Sequence, residues 1–293
     1  MTVSAPEPAS TPRPRLRRIL RMARRDPRSA LGLTVLIIVA LAALLGPLVY
    51  PYDPVKPDFL STLAPPSAAH PFGTDDLGRD ILARIIAGAR IALLVGCVSV
   101  GSSIMVGTTI GILAGFYGGW VSMGLMRVMD VLFAFPPVLL ALGITAALGP
   151  SLTNAMLAIS VVYLPIFARL ARAQTLVVRD LTYTESDRAM GFSDLSIMVH
   201  AILPNIMAPL IVQASLLFGD AIITESYLSF LGLGTQPPQP SWGAMLKSAI
   251  GFLGLAPWMA WFPGLAIFVA VLGLNLVGDG LRDRLDPRLR KSL

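Results

Sequence analysis

Six stretches of this chain carry almost no charge, and most match the ~20 apolar residues that cross a bilayer core. They run over 31–49, 91–116, 131–150, 152–168, 206–234 and 248–278. The fourth is short, the fifth is interrupted by Asp220 and Glu225, and the last reads as a span only from about Met259. Charged residues make up 14% of the 293 positions and hydrophobic ones 55%, against roughly 25% charged in a soluble domain. Such a chain lacks the polar surface to cover a soluble core. The expected fold class is an all-α integral membrane protein with about six transmembrane helices.

The net charge of +6 is distributed by position, not spread as a nucleic-acid surface would be. Eight arginines lie between Arg13 and Arg28, before the first span, and Arg282, Arg284, Arg288, Arg290 and Lys291 follow the last. Six spans put both termini on one side. With that side cytoplasmic, eighteen of the 23 basic residues face inward, as the positive-inside bias demands. The expected location is the cell membrane, with both termini cytoplasmic and no nucleic-acid partner. Cys97 is the single cysteine and falls inside the second span, which excludes an intrachain disulfide and a CxxC metal site. The first apolar run exceeds a signal-peptide core and has no A-x-A-like site after it, so it reads as an anchor.

Along the chain, residues 1–28 read as a disordered, basic cytoplasmic tail. The first helix covers 29–50, an extracytoplasmic segment 51–88, a transmembrane core 89–284, and a basic tail 285–293. Tyr50 and Tyr52, among prolines 47, 51, 54 and 57, mark the outer end of the first helix. Arg79, Arg84 and Arg90 fall outside, with Asp75, Asp76 and Asp80 available to offset them. A second outer segment, 231–257, is rich in Gly, Pro and aromatics, and its apolar run 248–257 reads as interfacial or re-entrant.

In the second span Ser99, Ser103, Gly107, Gly111, Gly115 and Gly119 recur every four residues. This ridge lets a neighbouring backbone approach closely. It suits packing inside the chain better than a seam with another subunit. Tyr117 and Trp120 fit the inner aromatic belt.

The longest polar segment on the cytoplasmic side, within 173–205, reads as a rigid hairpin of two short helices. Thr184 is expected to cap the first, with Asp187 three residues on, and Gly191 to end it in the left-handed conformation. Ser193 caps the second with Asp194 at its positive pole, and Pro204 is expected to break the chain before the fifth span.

No catalytic constellation is present. The two histidines, His70 and His200, fall on opposite sides of the expected membrane, and H-E-x-x-H, G-x-x-x-x-G-K-[ST] and G-x-S-x-G are all missing. A non-enzymatic conduit or scaffold is expected, with no cofactor or metal of its own.

The run Glu185-Ser186-Asp187-Arg188-Ala189-Met190-Gly191, followed by Leu203-Pro204-Asn205, resembles the cytoplasmic signature of ABC importer permeases. Ser186 and Asp187 stand where that signature has two alanines, and His200-Ala201 where it has Arg-His. Three further runs resemble the "C" permeases of dipeptide and oligopeptide transporters: 70–80 (HPFGTDDLGRD), 225–234 with 240–243, and 275–288. The resemblance covers about residues 30–290. It implies the type I importer permease fold and a coupling helix that docks on an ATPase subunit. The implied partners are a homologous permease, one or two ATPase subunits holding ATP and Mg, and an extracytoplasmic binding protein that delivers peptide. Glu185 to Gly191, Asp194 and Leu203 to Asn205 become the coupling residues. Related machines carry nickel or glutathione; an ATP-independent channel or secondary transporter using Asp220 and Glu225 is the rival class.

Intramembrane polar groups are candidate functional sites by default. Asp130 is expected to pair with nearby Arg127, and Glu225 to lie near the outer surface. Asp220, which sits deeper, is open between a packing role and contact with an ion or a peptide's amino terminus. Asn275 suggests an interhelical hydrogen bond.

Overall fold

The computed structural model describes residues 27–285. The basic N-terminal tail and the end carrying Arg288, Arg290 and Lys291 lie outside the described residues. Helices dominate: α1 (Pro27–Val49), α2 (Ile81–Tyr117), α3 (Gly119–Phe133), α4 (Pro137–Leu148), α5 (Leu152–Arg179), α6 (Thr182–Ala189), α7 (Asp194–Phe230), α8 (Trp242–Ala249) and α9 (Trp258–Leu285). α2 and α7 each pass through a wide π turn, at Gly96–Val100 and Ile197–Ile202. Five of these helices are long and apolar enough to cross a membrane, and α3 with α4 makes a sixth as a broken pair.

That break corrects the third span. The apolar run 131–150 is not one rod: α3 and α4 meet at 90°. Pro136 and Pro137 lie between them, and the residue before a proline is pushed out of the helical region; Pro136 has ψ 129° and Pro137 opens α4. The second span is corrected as well. Its helix begins at Ile81, ten residues before the apolar run, because Asp80 caps it by accepting from the Ala83 N–H at 2.8 Å.

The centre of the bundle is the seam between α2 and α5. The two run parallel at a fixed offset: Ser99 Oγ donates to the Met156 carbonyl at 3.1 Å and Ser103 Oγ to the Ser160 carbonyl at 2.8 Å. One to three turns on, a Cβ on Gly107, Gly111 or Gly115 would lie within 2.4–2.8 Å of Phe167, Ala168 or Thr175. The small-residue ridge therefore packs within this chain, as expected. Lipid tails are as apolar as leucine, so close approach and hydrogen bonds hold the helices where hydrophobic burial cannot. Gly119 departs from the ridge: it has φ 44° and, with Gly118 at φ 66°, turns the chain from α2 into α3.

A second cluster joins α1, α8, α9 and the first half of α2 around Ile81, Trp242, Met245, Met259 and Ala270. α1 crosses α9 where Gly32 meets Gly273 and Leu276, and shows Leu41, Leu44 and Leu48 outward. The loops 50–80 and 231–257 gather at one end of the bundle, the cap end. The α2–α3 turn and α6 gather at the other, the hairpin end.

Candidate functional site

The hairpin end is built by α5, α6 and the start of α7. α5 stops at Arg179, whose guanidinium donates to the carbonyls of Gly115 and Phe116 at 2.9 and 3.3 Å. One side chain thus satisfies the last carbonyls of α2 and clamps two helix ends together. α6 starts three residues earlier than the sequence suggests, because the Leu181 carbonyl already accepts from the N–H groups of Thr184 and Glu185. Thr184 is therefore not the cap. Its buried hydroxyl donates to the Val178 carbonyl at 2.9 Å and ties α6 back to α5. Gly191, at φ 83°, ends α6 as expected: Phe192 N–H returns to the Asp187 carbonyl at 3.1 Å. Ser193 caps α7, its Oγ accepting from Ser196 N–H at 3.3 Å.

Pro204 does not break the chain. The α7 helix runs on from Asp194 to Phe230, because the π turn Ile197–Ile202 widens the ladder just before the proline. The second arm of the hairpin is thus the first turns of a 37-residue helix, a stiff lever rather than a separate short helix.

Glu185, Ser186, Arg188, Ala189, Met190, Gly191, Asp194, Pro204 and Asn205 are exposed, whereas Asp187 and Leu203 are half-buried. Asn205 Nδ2 donates to the Ala201 carbonyl at 2.6 Å, which places it in helix stabilisation. Arg188 lies 5.4 Å over the ring of Phe116, holding α6 against α2. Sequence reasoning missed the apolar side of this surface. Tyr183, Met190, Phe192 and Leu195 are 42%, 67%, 51% and 69% exposed. Large apolar side chains rimmed by charge mark an interaction site.

Within the membrane, the acids separate. Asp130 pairs with Arg169 of α5 at 2.7 Å rather than with Arg127; Arg127 lines a cleft of about 380 Å³ between α3 and α5 beside Asp130, Ser122 and Arg172. Glu225 is 2% exposed and makes hydroxyl contacts: Ser229 Oγ and Thr235 Oγ1 donate to its Oε1 at 2.6 and 3.1 Å. Ser229 Oγ also accepts from Thr235 N–H at 2.9 Å. Glu225 therefore ties the loop after α7 onto the helix. Asp220 is exposed and has no ion-pair partner among the described residues. A carboxylate facing lipid at that depth costs at least ~2.5–3.5 kcal/mol. Asn275 is exposed too; its Oδ1 lies against Gly219 of α7, 3.5 Å from where a Cβ would be, and among the described residues it makes no side-chain hydrogen bond.

The cap end is closed by buried polar groups. Asp75 accepts from the N–H groups of Leu77 and Arg79 at 3.0 and 2.9 Å and from Arg79 Nε at 2.7 Å, with Arg84 Nε at 3.4 Å. Arg84, 5% exposed, also donates to the Pro54 carbonyl. Among the described residues Asp80 pairs with no arginine; beyond its cap it holds His70 Nδ1 at 2.9 Å and accepts from the Tyr50 hydroxyl at 3.2 Å. Burial, and then the Asp80 carboxylate, push the Tyr50 phenol above its ordinary range. Trp258 Nε1 donates to the Thr74 carbonyl and Trp242 Nε1 to the Ile85 carbonyl, while Phe72 stacks on Phe262 at 4.0 Å.

Residues 107–291 match the family model described as the binding-protein-dependent transport system inner membrane component. The chain belongs to this family. A second model, the N-terminal TM domain of oligopeptide transport permease C, matches residues 15–66 of the permease. The dipeptide transport system permease protein of Alkalihalophilus pseudofirmus is 44% identical, over 94% of this chain and 90% of its own. The glutathione transport system permease protein of Pectobacterium atrosepticum is 48% identical, over 89% and 87%. The di/tripeptide transport system permease protein of Pseudomonas aeruginosa is 46% identical, over 89% and 88%. Among solved structures, a chain of the MetNI methionine ABC transporter, in an inward-facing crystal form, aligns with a TM-score of 0.56 at 16% identity, over 69% of this chain and 96% of that one. The type I importer permease fold expected from the sequence is the fold observed. α6 and all of α7 lie inside the family match.

Proposed function

We propose that this permease forms, with a homologous permease, the membrane pathway of an ATP-driven importer of di- and oligopeptides. Peptide arrives from an extracytoplasmic binding protein at the cap end, and two ATPase subunits grip the hairpin end, which lies with both termini in the cytoplasm. ATP and Mg belong to those ATPase subunits; this chain supplies no catalytic group.

The observation that carries the reading is the hairpin: a short exposed helix, tied to α5 by Thr184 and to α2 by Arg188 where Arg179 joins those two helices, and continuous through one tight corner with a 37-residue helix. A motor that pushes on α6 moves α7 as a rigid body. Exposed Glu185, Asp194 and Arg188 beside Met190, Phe192 and Leu195 give it charge for register and apolar area for affinity. Glutathione is the second reading for the cargo, favoured by the 48% identity to a permease named for it.

The test is the reconstituted importer in vesicles. Glu185→Lys is expected to leave the complex assembled but to cut peptide uptake per ATP hydrolysed at least tenfold; unchanged coupling would overturn the lever role. Ser186→Cys in a Cys97→Ser background, labelled in intact cells with a membrane-impermeant thiol reagent, is expected to stay unmodified. Labelling from outside would invert the topology.

A further inference from the structure

Two helices that both qualify as membrane spans show opposite outward faces. α1 presents Leu33, Ile37, Ile38, Leu41, Leu44 and Leu48, all about half exposed or more, the surface a lipid-facing helix needs. α7 presents Asn205, Gln213, Asp220, Thr224 and Tyr227. At about 100° per residue these five fall in one sector roughly 100° wide. Asn205, Asp220 and Tyr227 are exposed, and Gln213 and Thr224 are half-buried. The buried Tyr163 of α5 backs the stripe from inside, its hydroxyl 3.4 Å from Thr224 Oγ1.

Lipid cannot solvate this stripe. Asp220 lies ten residues, about 15 Å, from the cap end of α7, and no described residue offers it a cation. A packed seam with another helix is a poor match as well. Membrane helix seams use small residues, and this sector holds Pro209, Leu216, Ile223 and, at its edge, Ile206 besides the polar side chains, with no glycine, alanine or serine. The same helix turns Gly219 and Ala221 inward instead. Water and mobile solute are left as the neighbours of the stripe.

We propose that this face of α7 lines the aqueous pathway and that Asp220 receives the ammonium group of the cargo as it passes. The role of Asp220 rests on the peptide reading above; the wet stripe does not. A single carboxylate among neutral hydroxyl, amide and phenol groups holds a peptide's amino end transiently without trapping it, and it disfavours a blocked or anionic end.

The experiment uses the whole importer in nanodiscs, with Cys97→Ser removing the native thiol. Single cysteines at Gln213, Asp220 and Tyr227 are each expected to react with a charged, water-soluble thiol reagent at least tenfold faster than one at Ile38. Rates equal to that of Ile38 would overturn the wet stripe. In vesicles, Asp220→Asn is expected to leave the partner chains co-purifying and to lower the preference for a free-amine dipeptide over its N-acetylated form about tenfold. Loss of the partner permease, with both peptides falling alike, would assign Asp220 to a subunit ion pair and overturn the ammonium role. An importer that carries neither peptide before mutation would refute the peptide reading and the ammonium role with it, while the labelling rates would still decide the stripe.

Discussion

At the cap end, Asp75 holds Arg79 and Arg84, Asp80 holds His70 and Tyr50, and Trp242 and Trp258 reach carbonyls on other segments. At the hairpin end, Tyr183, Met190, Phe192 and Leu195 stand exposed on a structure held by Arg179, Thr184 and Arg188. Among the described residues the cap hydrogen-bonds most of its buried polar groups within the chain, Asp76 Oδ1 excepted. The hairpin satisfies its backbone but leaves apolar surface without a neighbour. The cap exposes apolar side chains too, Phe59, Leu60 and Leu255 among them, but internal polar contacts fix its shape, whereas the hairpin surface has few such contacts of its own.

Substitutions at the two ends should therefore separate stability from assembly. Asp75→Ala removes the acceptor of three hydrogen bonds and strands Arg84 in a buried site. Unpairing such a group costs about 3–5 kcal/mol, and thermal unfolding in detergent should show it as a large drop in Tm. Trp258→Phe keeps the ring but leaves the Thr74 carbonyl without its indole donor; about 1–3 kcal/mol is expected in the same assay. At the other end, Gly191→Ala forces a side chain into the left-handed region at φ 83° and should cost about 1–2 kcal/mol. Met190→Ser with Leu195→Ser should change stability by no more than about 0.5 kcal/mol, the usual limit for exposed positions. That pair should nevertheless cut ATPase co-purification at least tenfold. A large stability loss from the pair, or none from Asp75→Ala, would erase the contrast between the ends.

Local signals were legible wherever one residue acts on its own neighbourhood. The glycine ridge named its face because four-residue spacing is a helical property. Gly191 and Ser193 announced a helix end and a helix start through conformational preference and reach. Asp80 capping α2 also lay within local reach, but the apolar run hid it by starting ten residues later. Partners distant in sequence were not legible. Asp130 lies three residues from Arg127, yet its partner is Arg169, 39 positions away. Thr184 looked like a cap because nothing local reveals that the Val178 carbonyl sits above it. Pro204 looked like a break because the π turn that accommodates it leaves no compositional mark.

The sequence by itself determined the membrane, the helical class, the approximate spans, the family resemblance and the place of the polar hairpin. Hydropathy, charge and short-range geometry are additive along a chain and need no knowledge of its neighbours. Tertiary structure alone decided the 90° bend in the third span, the burial of Glu225 beneath a loop and the exposure of Asp220 on the outward side of α7. Each depends on what stands opposite a side chain in space. A carboxylate five residues from another carries the same local pattern whether it is locked in a hydroxyl network or left exposed on the helix's outer side.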